Sequence, residues 1–545
     1  MQRSTLIMEN DDFWCHQLLR LFDDMLYTAK IPASIERGIT VLLAKCTSPG
    51  DWSDTRPITL SSTLLKTFSQ LLIGRVSHLV QGDSRLQWAR RSRQGVELIL
   101  SLRRLCRVAH DWGLTMYVAK LDIRKAFDSI YQEALAEQIE ADVCDAGDKP
   151  WEGRAWAALI HAQHVEIFFR GETFSLQQSN GVRQGSPDSP IAFGRIVAKD
   201  LEKSISEASS SKPTTGEPPP ENGGCFMDDS YLWSTSATHM QAMLTRIDTN
   251  FPKRGLDIHP VKTDIIDNQG GGTSFHIAGK TVLSKGPDHI IRVLGSPLSF
   301  HGLPAMLVAE MQSRGRRAFE KHRGTLMSSA PLKSRIKLHT ILVRQSALWA
   351  CETWNCCDFL LRSANSMQTA QVRSMMKLSR QPGETWYEWS ARSLRRARLA
   401  IHQSKTQRWS SFILQQIWGL HGHVARGDPV TAAMLRWRNL EWWTVEQTIP
   451  VSWGGHRHAK RFNPHLDVDR QISAVAGNRW QALAQDRLAW DNLTDVFIDR
   501  YDVPWSSGGQ GASPFLFALK ARRPSCKNKG ETSQDKLKDT ADCFA

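Results

Sequence analysis

The chain has 545 residues and a formal net charge of +14, with 41% apolar and 23% charged residues. That composition supplies a large core over about two to four domains and excludes a disordered tail. Its ten cysteines include no Cys-x-x-Cys, which excludes a disulfide scaffold and the common zinc-finger spacings, and no apolar run approaches the roughly 18 residues that span a bilayer.

The opening MQRSTLIMENDDFW has too short an apolar stretch for a secretory signal. FWCHQLLRLFDDMLYTA then repeats apolar residues at helical spacing, and Ile31-Pro32 ends it. GITVLLAK reads as a strand. After Arg56-Pro57, ITLSSTLLKTFSQLLIGRVSHLV has a long helical pattern, and GVELILSLRRLCRVAHDWG a second that stops at Gly113. MYVAKLDI is apolar and β-branched, as a buried strand requires. Residues 208–224, ASSSKPTTGEPPPENGG, form a loop too polar to pack, and CFMDDSYLWS after it reads as a short hairpin. IIRVLGSPLS is another strand and turn, and the pattern from 305 to about 440 is mostly helical. Beyond 440 the signals weaken, and the Gly/Ser/Lys-rich tail from Ser506 is expected to be mobile.

The charge is concentrated. Residues 301–426 hold 20 Lys plus Arg against 6 Asp plus Glu, and the remainder is neutral. Such a segment is either a solvated helix face or a track for a phosphate backbone. Trp349, Trp354, Trp386, Tyr387, Trp389 and Trp409 interleave it, as stacking surfaces or as core.

Three Asp-Asp pairs occur. Asp11-Asp12 and Asp23-Asp24 lie in polar or helical settings, whereas Asp228-Asp229 sits between apolar strands. Adjacent carboxylates there repel each other and lose hydration unless a cation compensates. With Asp122, at the end of MYVAKLDI, they form an oxygen-rich set suited to Mg²⁺. Two such ions can clamp the attacking and leaving oxygens of a phosphoryl transfer. A plain turn of surface acids is the simpler alternative.

VAKLDIRKAFDSI, SNGVRQGSPDSPIAFG, CFMDDSYLW, RGLDIHPVKTDII and IRVLGSPLS follow one another in that order. Together they resemble the successive palm motifs of a reverse transcriptase. Upstream, the Lys45 strand and TRPITLSSTLLKTFSQLL resemble the fingers of the non-LTR (LINE-type) retrotransposon branch. The resemblance covers residues 30–300 and continues more weakly through LKSRIKLHTILVRQSALWACETW and HGHVAR, similar to thumb and post-thumb segments.

The resemblance implies an α+β right-hand polymerase: helical fingers, an antiparallel-sheet palm and a helical thumb, followed by a mostly helical C-terminal region. Fingers and palm would occupy 1–300, the basic thumb and connection 301–430, and a region of unassigned role 431–545. It implies RNA-directed DNA polymerase activity, with Asp122 and Asp228 as principal ligands of two Mg²⁺ ions (Mn²⁺ the alternative) and Asp229 as supporting carboxylate. Phe127 matches the aromatic gate that excludes a ribose 2′-hydroxyl. Gln184 and Gly185, with Ser186 and Pro187, match the loop that packs near nucleotide and template. Lys262 matches a lysine placed near the triphosphate, and Lys45 and Arg56 match basic finger residues that embrace it. The implied partners are an RNA template, a DNA primer or nicked target DNA, and dNTPs. The implied setting is intracellular and nuclear, without a membrane.

Three features depart from the pattern. Met227 stands where a small residue is commoner, Asp188 adds a charge beside a loop expected to approach nucleic acid, and the 208–224 loop lengthens the stretch between two motifs. With about 30 residues ahead of the first fingers strand, an endonuclease is expected in trans. Cys351, Cys356 and Cys357 with His421 and His423 fit no zinc module. Two alternatives stay open: a catalytically silent RNA-binding protein on the same fold, and an intron-maturase-type reverse transcriptase.

Overall fold

A computed structural model describes residues 12–51, 54–81, 84–112, 114–161, 163–169, 172–209, 220–355, 357–434 and 468–505. Most of the expected 208–224 loop, and the tail from Ser506, lie outside them. The chain divides into two compact units, Met1–Gln94 with Thr115–Gly286, and Gly95–Leu114 with Pro287–Ala545. No helix among the described residues is long and apolar enough to cross a membrane.

The first unit holds β1 (Gly38–Ala44), β2 (Thr55–Leu60), β3 (Tyr117–Leu121), β4 (His164–Phe169), β5 (Glu172–Gln177), β6 (Gly223–Phe226), β7 (Asp229–Ser234) and β8 (Asp264–Asp267). They build two four-stranded sheets, β2-β1-β4-β5 and β6-β7-β3-β8. In the first, β1 and β4 run parallel and the other neighbours antiparallel. The second is antiparallel throughout. Its inner strand β3 is covered on both faces, with only Lys120 half-buried, which explains its nearly unbroken apolar sequence.

Helices α1 (Asp12–Thr28), α2 (Thr63–Gln81), α3 (Ser189–Glu207) and α4 (Ala237–Asn250) belong to the same unit. One core joins helix residues Phe68, Leu72, Phe193, Leu201 and Ile247 to sheet residues Ala119, Leu121 and Ile265. The expected helix after Pro57 is corrected at its start. Thr55–Leu60 is strand β2, with Pro57 paired to Leu42. The helix begins at Thr63, where the Ser62 hydroxyl accepts the Leu65 N–H at 3.1 Å. Proline lacks an N–H but tolerates an edge strand, and β2 is an edge.

The second unit takes in the helix Gly95–Trp112 together with α5 (Pro304–Lys321), α6 (Asp358–Met376), α7 (Trp386–Gln403) and α8 (Trp409–Arg426). Short helices between Val468 and Tyr501 pack on α8, where Trp418 and Trp490 stack at 4.0 Å and each indole N–H donates to the other residue's carbonyl. Much of the basic segment is engaged internally. Arg314 pairs with Glu310, Arg362 with Asp358 and Arg392 with Glu384, while Arg344 lies 3.9 Å over the Phe412 ring. Arg395 and Arg396 remain exposed. Of the interleaved aromatics, Trp354 and Trp409 are core, and Trp386 and Tyr387 are exposed.

His339 ends the helix Leu332–His339, stacks on Trp409 and donates from Nε2 to Gln371 Oε1 at 2.7 Å. Burial pushes its pKa down to about 4, against the bond to Gln371. The folded state therefore keeps His339 neutral while the unfolded chain protonates near the usual 6.5. Stability from this group is complete above that value and is lost as pH falls towards 4, by up to roughly 3 kcal/mol. Denaturant unfolding between those pH values should show this slope in the wild type and a flatter one in His339→Gln, whose amide still donates to Gln371.

Candidate active site

The register of the antiparallel sheet decides where the acids meet. Leu121 of β3 pairs with Ser230 of β7, so Asp122 emerges beside Asp229. β6 and β7 are joined by the two residues Met227 and Asp228, with Phe226 opposite Asp229. Met227 has φ +59°, the left-handed backbone that tight hairpins need at a central position and that a bulky residue adopts only at a cost. Its sulfur faces the approach to Gly194 on α3, where a Cβ would lie 2.5 Å from Gln87 Nε2.

The backbone of Asp122 is fixed on both sides. Its N–H donates to Thr263 Oγ1 at 3.3 Å, and its carbonyl accepts the His259 N–H at 2.7 Å. Lys120, two residues before Asp122 and on the same strand face, pairs with Asp229 at 3.2 Å. Burial raises the Asp228 carboxyl above the usual range, the Asp228 backbone N–H opposes that, and the charges of Asp229 and Asp122 raise it further. Asp228 is nevertheless exposed at the turn, so water screens part of this effect. Three carboxylates thus share one sheet end with, among the described residues, a single paired ammonium. Among the described residues, no three His, Cys, Asp or Glu side chains are already closed into a metal-binding group.

Around this end the other expected residues fall into place unequally. Phe127, on the short helix Ala126–Ser129, is half-buried and stacks on Phe193 at 4.4 Å. Gln184 Nε2 donates to Asp128 Oδ1 at 2.9 Å, and the Gln184 carbonyl accepts the Thr59 N–H of β2 at 2.9 Å. Gly185 has φ +122°, and a Cβ there would stand 2.9 Å from the Thr59 carbonyl oxygen, so close backbone approach requires glycine. Burial raises the Asp128 carboxyl, while the Gln184 amide and the charges of Lys125 and Lys45 lower it. That places Lys45 within electrostatic reach of the Gln184 loop. Lys262 is exposed in the turn before β8, and Arg56 is exposed on β2 opposite Leu43. Neither side chain makes an ion pair among the described residues.

Asp188 corrects its expectation. It is buried, accepts from Ser69 Oγ at 2.8 Å and from Ser186 Oγ, and feels the charge of buried Arg183. Its charge holds the loop from inside and presents nothing to a ligand. The cysteine–histidine group yields no metal site among the described residues. His421 bonds the Ile417 carbonyl and Arg104, His423 bonds Glu97, and Cys356 lies outside the described residues. Sequence reasoning missed Lys120 and Asp128. The alternation Lys120-Leu121-Asp122 was signal enough for the first, since residues two apart on a strand share a face.

An antiparallel sheet carrying acids from two neighbouring strands at one end, beside a glycine-bearing loop and basic strands, is the arrangement of a nucleotidyl-transferring palm. Residues 47–298 match the family model of reverse transcriptase (RNA-dependent DNA polymerase). The chain is 23% identical over 237 residues to the retrovirus-related Pol polyprotein of the type-2 retrotransposable element R2DM of Drosophila melanogaster, covering 42% of this chain and 21% of that one. It is 25% identical over 257 residues to the Pol polyprotein of the type-1 element R2 of Nasonia vitripennis, covering 44% and 23%. The chain therefore spans less than a quarter of the length of either relative. Among solved structures, apo telomerase from Candida tropicalis matches with a TM-score of 0.38 at 14% identity, over 75% of this chain and 63% of that one, a likeness too loose to bear on function. Residues 47–298 are a reverse transcriptase domain of the non-LTR retrotransposon kind, and their fold class is the α+β right-hand polymerase.

The raised carboxyl of Asp228 has a consequence for the metal-free protein. A folded-state acid with a raised pKa binds its proton more tightly than the unfolded chain does, so stability declines as pH rises through the carboxylate range. Asp228→Asn removes that decline and some repulsion. In a chelator at neutral pH the variant should melt at the wild-type temperature or above it. A clearly lower melting temperature would contradict the geometry of repelling acids.

Proposed function

We propose that this chain is an RNA-directed DNA polymerase that extends a DNA primer on an RNA template. The observation that carries this reading is the β3–β7 register, which sets Asp122 beside Asp228 and Asp229 inside a reverse transcriptase domain. The donor set fits divalent cations. It consists of hard carboxylate oxygens, and among the described residues one ammonium, that of Lys120, is paired with them. Mg²⁺ is the natural occupant and Mn²⁺ the alternative. Bound there, two such ions would neutralise charge on the attacking and leaving oxygens.

The protein's own part is positioning. Asp122 is held at both backbone groups, so its carboxylate is aimed by the turn ahead of β8 as well as by β3. Lys120 restrains Asp229 and leaves Asp228 at the turn to face the reacting phosphate. The Phe127 ring, steadied by Phe193, stands where a ribose 2′-hydroxyl would intrude. Gln184, oriented by Asp128, lies along the base-paired nucleotide and template. Arg56, Lys45 and Lys262 supply cations to the triphosphate, with the forked guanidinium of Arg56 suited to bidentate contact. The exposed Arg395 and Arg396 of α7 offer charge to a nucleic-acid backbone. Work on such a template suits a nuclear setting.

Primer extension on an RNA template with dNTPs and Mg²⁺ tests this. The wild type should extend the primer, and Asp228→Asn should lose at least about 10³-fold in rate, the scale of removing a main electrostatic stabiliser. Phe127→Val should admit ribonucleotides while dNTP use falls only modestly. Extension by Asp228→Asn within tenfold of wild type, scaled against that same loss, would overturn the assignment.

A further inference from the structure

The helix Gly95–Trp112 carries Arg103, Arg104 and Arg107 at spacings that share one face. All three line a small pocket of ≈ 40 Å³, together with His301, Trp354 and His421, wholly inside the second unit. Among the described residues, no Asp or Glu lines it. Its wall is rich in donors and poor in acceptors.

Arg103 is the unusual member. Its side chain is half-buried with Nε enclosed, and its Nη2 donates to Ser296 Oγ at 3.0 Å and to the Pro297 carbonyl at 2.8 Å, both neutral acceptors. No carboxylate pairs with it among the described residues. Burial lowers its guanidinium to about 10, which leaves it charged at neutral pH. Arg104 differs, since Asp469 takes both its terminal nitrogens, one at 2.6 Å. Arg103 Nε, Arg104 Nε and Trp354 Nε1 are buried donors with no acceptor among the described residues. His301 is paired with the exposed Asp288. A half-buried charge without counter-charge is costly, and enclosed donor atoms without acceptors add to that cost. An anion in the pocket offsets both.

The space selects its size. A water needs about 10–15 Å³ on this measure, so the pocket holds a few waters or one tetrahedral anion and has no room for a nucleoside. Guanidinium forks match phosphate oxygens in geometry as well as charge. We propose that this pocket binds one phosphate group. The source is either a backbone phosphate of a bound nucleic acid or the free anion, and the chemistry is the same. The proposal stands apart from the polymerase reading, because none of its residues belongs to the carboxylate end of the sheet.

Titration of the full chain with inorganic phosphate, against chloride of matched ionic strength, tests it by calorimetry and by melting temperature. The wild type should show a saturable site and a phosphate-dependent rise in melting temperature. Arg103→Gln and Arg107→Gln should each weaken phosphate about tenfold or more, as loss of a charge-assisted bond does. If Arg103→Gln fails to fold, Arg107→Gln carries the test. Repeating the titration with saturating single-stranded RNA separates the sources: loss of the phosphate signal assigns the pocket to a backbone phosphate, and an unchanged signal assigns it to the free anion. Absence of a saturable site, or equal affinity in wild type and both folded variants, would overturn the proposal.

Discussion

Three carboxylates at one end of a four-stranded sheet repel one another, and the register of β3 leaves them nowhere else to go. Leu121 faces Ser230, with Tyr117, Ala119 and Leu121 sharing one core face, and a one-residue slip would turn Lys120 into that core. The same register that satisfies the hydrophobic core therefore gathers Asp122, Asp228 and Asp229. The cost is contained locally. Lys120 takes one carboxylate, the exposed turn gives Asp228 partial access to water, and the β8 side clamps Asp122 by its backbone. Such a cluster is stable enough to fold and short of positive charge, which is the condition for recruiting divalent cations.

The parts of this site that were legible in the sequence are those whose signals are local. MYVAKLDI announces a buried strand, and CFMDDSYLWS compresses a hairpin and its acids into ten residues. Their ordered succession with the Gln184 loop resembles one polymerase family, and residues 47–298 match that family's model. Long-range pairings were not legible. β5 is exposed along its whole length, so the alternation of Phe174 and Leu176 with polar residues marks no core face, and its place depends on β4 lying parallel to β1 more than a hundred residues away. The strand Thr55–Leu60 was absorbed into a helical pattern because its apolar residues run straight into those of α2, with only Ser61 and Ser62 between. Asp188 looked like a surface charge for a similar reason, since Ser69, which donates to it in the interior, lies 119 residues upstream.

The basic excess of residues 301–426 also divides on inspection of its partners. Arg314, Arg362 and Arg392 are spent on nearby carboxylates, and Arg344 on an aromatic face. These bind the helical unit to itself. Counting charges along the chain cannot separate such arginines from Arg395 and Arg396, which face water. Nor does it reveal Arg103, which has no carboxylate partner among the described residues and lies outside the basic segment altogether.

The central claim is that Asp122 and Asp228, from different strands, hold the same ion. Binding of Mn²⁺ followed by electron paramagnetic resonance measures this without any need for catalysis. The account predicts saturable binding by the wild type and a loss of at least about tenfold in affinity for Asp122→Asn and for Asp228→Asn alike, since even outer-shell partners of a metal are worth that much. Wild-type affinity in either single variant would mean that the two acids are neighbours on a sheet and do not form one site.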